Sequence, residues 1–218
     1  MKILLIAGHG QGDPGAVANG YKEADLTREV VKLLKPQLDN YAEVTIADTN
    51  KNWYKNTMDF SPYDYVLEIH FNAGVNDSKG NNGTTGTEIF ITTSEKTHGV
   101  ETNIVQGISS IGFKNRGVKR KNWSVISRAK NQGVSSALLE VCFIDDADDM
   151  WLYQKKKTEV IKAIANGIIT GFGIKPKTTL DHVKIIKEKI GLEDQTIEYL
   201  KAYKFGKELI EKIANAVK

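Results

Sequence analysis

At 218 residues, 40% hydrophobic and with a net charge of +3, the chain is long enough for one full-sized core and a small appendage. The charge excess is too small for the clustered basic surface of a nucleic-acid binder, so no nucleic-acid partner is expected. A single cysteine, Cys142, excludes an intramolecular disulfide framework and a cysteine-rich zinc site, and no apolar run is long enough to insert in a membrane.

Residues 2–7 read as a buried strand. That apolar run stops after about six residues at Gly8-His9-Gly10, short of the roughly 7–15 of a signal-peptide core, so synthesis in the cytoplasm without a signal peptide is expected. Residues 19–23 lead into a helix running to about Leu34, with Leu26, Val30, Val31 and Leu34 at helical spacing and Pro36 as its stop. A second strand is expected over 44–47 and a third over 63–71, whose nearly continuous apolar character suits the centre of a parallel sheet. Residues 72–86, rich in Gly, Asn, Asp and Ser, read as a loop. A strand over 87–92, a helix from about 96 to 109, strands over 123–126 and 137–143, and a helix over 153–172 follow. Strands alternating with helices predict an α/β domain, a mainly parallel mixed sheet flanked by helices in three layers.

Gly173 reads as a helix C-cap and residues 175–177 as a linker. The expected division is therefore a catalytic domain over 1–174 and a small helical tail over 178–218. Apolar residues recur at helical spacing in the tail (Val183/Ile186/Ile190, Ile197/Leu200, Leu209/Ile210/Ile213/Val217). About 40 residues is marginal for an independent fold, so the tail is expected to pack on the catalytic domain, on a partner chain or on an external surface.

Three metal-type residues fall at the expected ends of elements. His9 ends the first apolar run, Glu23 opens the first helix and His70 ends the third strand. Two imidazoles and one carboxylate match catalytic zinc sites, in which a fourth position stays open. Glu140 sits in Ala137-Leu138-Leu139-Glu140-Val141, an acid in a strand otherwise read as core. In open α/β sheets functional groups collect beyond the carboxyl ends of the strands, where these four converge. Taken singly, His9 reads as a loop residue, Glu23 as an acid favoured by the helix dipole and His70 as a core histidine. Jointly they suggest a zinc hydrolase with one Zn2+ per chain and Glu140 as the carboxylate that moves a proton between water and leaving amine. Burial raises the pKa of Glu140 while an adjacent cation lowers it, and sequence does not decide between them.

The four residues sit within longer motifs. Ala7-Gly8-His9-Gly10, Asp13-Pro14-Gly15-Ala16 and Glu23-Ala24 resemble the opening of the zinc-dependent N-acetylmuramoyl-L-alanine amidases of the amidase-3 family. Glu68-Ile69-His70-Phe71-Asn72-Ala73 is similar to that family's SIHxNA strand, Asn115-Arg116-Gly117-Val118 to its NRGV turn, and Leu139-Glu140-Val141-Cys142-Phe143-Ile144 to its LVELGFIxN strand. The resemblance covers residues 1 to about 173. It implies His9, Glu23 and His70 as zinc ligands, Glu140 as the catalytic carboxylate, and hydrolysis of the amide joining the lactyl group of N-acetylmuramic acid to L-alanine of the peptide stem.

The chain departs from the pattern at Gln11, Glu68 and Cys142. Strand alternation places Glu68 with His70, either orienting the imidazole or pairing with a lysine. Cys142, in a strand core, reads as a packing residue. The segment 127–133 matches only loosely; Arg128 reads as a stem-carboxylate ligand or as a surface arginine. Asn72, Arg116 and Arg128 are the candidate substrate contacts, and His98 and His182 are expected at the surface.

A missing signal peptide and a small tail look like a phage or prophage endolysin, with a mother-cell sporulation amidase as the alternative host context. The expected partner is bacterial peptidoglycan, reached after release, with the tail binding the wall or mediating homo-oligomerisation through its helices. Two other functions compete: a zinc peptidase or carboxypeptidase cutting within the stem, and a wall-binding module without turnover.

Overall fold

A computed structural model describes residues 1–217, Thr179 and Leu180 by backbone only. Lys218, the last residue of the expected tail, lies outside the described residues. The chain forms two compact units, Met1–Leu38 with Ala42–Ile174, and Asp39–Tyr41 with the chain from Lys175 onward.

In the first unit the strands are β1 (Lys2–Ala7), β2 (Val17–Ala18), β3 (Tyr21–Lys22), β4 (Glu43–Ile46), β5 (Tyr65–Asn72), β6 (Thr87–Ile91), β7 (Asn115–Arg120) and β8 (Ser135–Phe143). The helices are α1 (Glu23–Leu38), α2 (Gly99–Ser109), α3 (Ser124–Asn131) and α4 (Ala147–Phe172). Six strands make one sheet in the order β4-β1-β5-β8-β6-β7. β4, β1, β5 and β8 run parallel, while β6 runs antiparallel to β8 and parallel to β7.

Alternation along each strand divides the side chains between two cores. Ile3, Leu5, Leu67, Ile69, Ile89, Ile91, Leu139 and Val141 face one side, packed with Val30, Leu34, Ile104, Ile108, Ile161 and Ile164 of α1, α2 and α4. Leu4, Ile6 and Val66 face the other, under Val125 and Ala129 of α3 and Trp53 and Phe60 of the β4–β5 connection. Helices on both faces of a mainly parallel sheet give the expected three layers. Glu68 and His70 alternate with Leu67 and Ile69 and so share the thinner α3 side. Glu140, opposite His70 in the β5–β8 register, joins them there, as does Glu88, opposite Glu140 across β6.

Several local expectations are corrected. Residues 123–126 are not a strand: Trp123 is the N-cap of α3, and Val125, Ile126 and Ala129 are its buried stripe. A four-residue apolar run fits either period, and the spacing to Ala129 selects the helix. The sheet edge is instead β7, built from the Asn115-Arg116-Gly117-Val118 segment expected as a turn. Pro36 does not stop α1, which continues to Leu38. Leu34 and Leu38 are both fully buried, so packing carries the last turn past one missing N–H. Residues 17–22 form a hairpin through Asn19 and Gly20, both at positive φ (49° and 81°), the pairing of residues that a two-residue type I′ turn favours.

Among the described residues the second unit forms α5 (Thr179–Ile190), α6 (Asp194–Ala202) and α7 (Gly206–Ala216). Thr178 and Asp181 make a reciprocal capping box at the start of α5, and Gly191 closes it in the left-handed conformation. Val183, Ile186, Ile197, Ile210 and Ala214 form this unit's own core. His182, expected at the surface, is 3% exposed, because its position on α5 turns it inward beside Val183 and Ile186. No helix among the described residues is long and apolar enough to cross a membrane.

Candidate metal centre and active site

The turn after β1 places the first residue. Gly8 donates to the Ile69 carbonyl, and His9 follows at φ 65°, a left-handed conformation uncommon for a side-chain-bearing residue. A Cβ on Gly8 would lie 2.4 Å from His70 Cε1, so only glycine lets the end of β1 pass the His70 ring. The two imidazoles stand edge to face with centroids 4.9 Å apart.

Glu23, the first residue of α1, reaches both. Its Oε1 is 3.0 Å from His9 Nε2 and 2.9 Å from His70 Nδ1. Backbone N–H groups hold the carboxylate, Phe71 donating to Oε1 and Ala16 to Oε2. One donor atom from each of His9, Glu23 and His70 lies within 4.8 Å of the others. Ligands bound at about 2.0–2.1 Å around a tetrahedral ion stand roughly 3.3 Å apart, so the spacing suits such a centre.

Charge makes the same point. Burial alone would raise the Glu23 carboxyl, but the hydrogen bonds and charges of His70 and His9 outweigh it and hold it well below the usual carboxylate range. Burial would lower both imidazoles, yet Glu23 and Glu68 lift His70 well above its ordinary value, and Glu23 and Asp13 lift His9. The carboxylate-rich cluster thus calls for positive charge, as protons on the imidazoles or as a cation between them.

Beside this cluster, two buried atoms have no hydrogen-bond partner among the described residues: His70 Nε2 and Glu140 Oε2. Glu68, 5% exposed, brings Oε1 to 3.2 Å from His70 Nε2, an ion-pair distance without hydrogen-bond geometry. Burial pushes the Glu140 carboxyl up to about 7; His70 opposes the shift, and the charges of Glu23, Glu88 and Glu68 reinforce it. Orphaned donors and acceptors beside the three-residue cluster fit a centre completed by an ion and a substrate.

These groups floor a cavity of about 370 Å³, walled by Asn72 and by Trp53, Tyr54 and Trp123. Asn72 is held by Glu88, whose Oε1 accepts from Asn72 Nδ2 at 2.9 Å. Glu88 Oε2 accepts from Arg116 and Lys119, and Arg116 lies 4.8 Å over the Phe143 ring. Arg116 therefore braces the wall from behind and does not line the cavity. Arg128 also lies off it, its guanidinium donating to the carbonyls of Trp53 and Asn56. His9, Glu23, His70 and Glu140 are brought together; of the candidate substrate contacts, Asn72 alone faces the cavity. Cys142 is fully buried in the apolar core.

The β4–β5 connection was not legible as part of the site. Its signal was there: Trp53-Tyr54 is an aromatic pair set among Asn and Lys, a composition that marks a functional loop. Glu88 carried the same mark as Glu140, an acid within an apolar strand.

The model of the N-acetylmuramoyl-L-alanine amidase family matches residues 3–170. The endolysin of Bacillus phage SPP1 is 28% identical over 190 residues, 81% of this chain and 68% of that protein. The sporulation-specific N-acetylmuramoyl-L-alanine amidase of Bacillus subtilis (strain 168) is 27% identical over 206 residues, 85% and 73% of the two chains. Among solved structures, the catalytic domain of CwlV, an N-acetylmuramoyl-L-alanine amidase from Bacillus (Paenibacillus) polymyxa var. colistinus, superposes with a TM-score of 0.63 at 21% identity, covering 80% of this chain and 100% of that one. The amidase-like motifs, the sheet that gathers them and the family match agree: this chain belongs to the N-acetylmuramoyl-L-alanine amidase family.

Proposed function

We propose that the chain is a peptidoglycan hydrolase of the endolysin type, cleaving the amide between the lactyl group of N-acetylmuramic acid and L-alanine of the stem peptide. The observation that carries this is the clustering of His9 Nε2, Glu23 Oε1 and His70 Nδ1 on the cavity floor, with the unpartnered Glu140 Oε2 beside them.

His9, Glu23 and His70 would hold one zinc ion. When bound, the ion supplies Lewis-acid polarisation of the scissile carbonyl and acidifies water. Glu23 is kept from rotating by the Phe71 and Ala16 N–H groups, so its Oε1 stays between the imidazoles. Glu140 Oε2 takes the proton of the attacking water and returns it to the departing L-alanine amine. Without the ion, burial holds the Glu140 carboxyl up at about 7; the cation would lower it towards the ionised form that accepts a proton. Trp53, Tyr54 and Trp123 exclude water and give the bound glycopeptide an apolar wall.

Residues 1–174 would form the catalytic domain, and residues 178–218 a helical tail that binds the wall or self-associates. Tyr199, Tyr203 and Phe205, each more than half exposed, support a binding surface there. The enzyme would act on the wall after release from the cell.

Mass spectrometry of the soluble products from purified peptidoglycan tests this, with zinc-loaded protein and Glu140→Ala in parallel. Stem peptides beginning at L-alanine are expected from the unmutated chain only. Internally cut stems would make the chain a peptidase, and wall retention without product would make it a binding module.

A further inference from the structure

Asn52 is 2% exposed, a rare situation for an asparagine unless its amide is paired. Both ends are. Its Nδ2 donates to Asp13 Oδ2 at 2.9 Å, and its Oδ1 accepts from the Tyr54 N–H at 3.0 Å. Asp13 Oδ2 in turn lies 3.0 Å from His9 Nδ1, while Oδ1 accepts from the Gly15 N–H. With Nδ1–H donated to Asp13, the His9 tautomer leaves the Nε2 lone pair facing Glu23. The His9 hydrogen bond is the largest of the influences that hold the Asp13 carboxyl below its ordinary range.

The loop bearing Asn52 is itself clamped at both ends. Arg28 donates to Thr49 O at 2.6 Å while also reaching the carbonyls of Ala24 and His9. Arg128 holds the carbonyls of Trp53 and Asn56. The turn thus fixes Asp13 on one side and presents Tyr54, 70% exposed, to the cavity on the other.

We propose that Asn52 is a positioning residue for His9, acting through Asp13, so that this one residue of the cavity-wall loop belongs to the metal centre. The proposal rests on the assignment of His9, Glu23 and His70 as metal ligands. Partners of ligating histidines fix tautomer and ring orientation, and their loss typically costs 10–100-fold in metal affinity. An amide suits position 52, because it donates to Asp13 and accepts from the Tyr54 N–H at once, which an ionised carboxylate cannot do.

Zinc affinity of Asn52→Ser, Asp13→Ala, the double variant and Lys55→Ala, measured by competition with a chromophoric chelator, tests the coupling. Serine keeps a short oxygen for the Tyr54 turn but does not reach Asp13, so the variant should fold. Asn52→Ser is expected to weaken zinc binding about tenfold. In the Asp13→Ala background it should add nothing, because the two losses share one route. The His9 Nδ1–H signal in metal-free 15N NMR should weaken in Asn52→Ser and persist in Lys55→Ala, an exposed residue of the same loop. Unmutated affinity in Asn52→Ser, additive losses, or an equal loss from Lys55→Ala would each overturn the coupling alone. Failure of the unmutated chain to bind zinc would overturn the metal-centre assignment with it.

Discussion

The two faces of the one sheet follow opposite rules. On the α1–α2–α4 side, Leu5, Leu67, Ile69, Ile89 and Leu139 are fully buried hydrocarbon. On the α3 side, the neighbouring residues of the same strands are Glu68, His70, Glu88 and Glu140, which stay near each other at a cost in desolvation and mutual repulsion. Strand alternation allows one segment, Leu67-Glu68-Ile69-His70, to serve both purposes: the odd positions hold the fold, and the even positions face the candidate site. Buried acids concentrated on one face are evidence for a functional site, since packing alone would favour apolar residues there.

The contrast can be broken from either side. Glu140→Gln should lower kcat by about 10²–10⁴-fold, the range for loss of a proton-transfer group. Its thermal melt should move little, because no hydrogen bond of Oε2 is lost. A variant that lost its fold along with its turnover would place Glu140 among the structural residues. Leu67→Ala, one residue from Glu68 but on the other face, should cost about 2–5 kcal/mol in denaturant unfolding through the cavity it leaves. The folded fraction should retain its kcat; a kcat loss matching that of Glu140→Gln would mean that the two faces are not separable.

A smaller effect tests the edge between the faces. Asp149 is fully buried at the start of α4 and accepts from the Phe143 and Gly86 N–H groups. Burial raises its carboxyl from 3.8 to about 6 against those hydrogen bonds. The folded state therefore holds this proton more tightly than the unfolded chain. The associated stability is full below about pH 4 and is lost as pH rises through about 6. Asp149→Asn should flatten unfolding free energy against pH over that window, and an unchanged slope would assign the pH dependence to other groups.

Much of the first unit was legible because its signals are local. The runs that became β1, β5 and β8 are apolar enough to be central strands, with His9 just beyond β1 and His70 and Glu140 interrupting the C-terminal halves of β5 and β8. Where a short segment fits two periods, local signals ran out. Residues 123–126 take the helical one only because Ala129 is buried with Val125 and Ile126, and the turn-like 115–118 segment becomes β7 only because β6 offers it an edge. Asn19-Gly20 is a local hairpin signal, but the strands it joins are only two residues long and leave no alternation to mark them.

Sequence by itself determined the α/β pattern and the four residues that meet on the cavity floor, since each rests on composition and spacing within a few residues, and its motifs carried the resemblance to the family. Tertiary structure alone decided that Arg116 and Arg128 lie off the cavity, that Glu68 stands against His70, that His182 is buried and that Asn52 holds Asp13. These depend on contacts between segments distant in the chain: Arg128 meets Trp53, and Asn52 meets Asp13, only after the sheet has brought the loops together. A hydrogen bond across 39 residues leaves no periodicity in the chain, because its geometry is set by the packing of everything between.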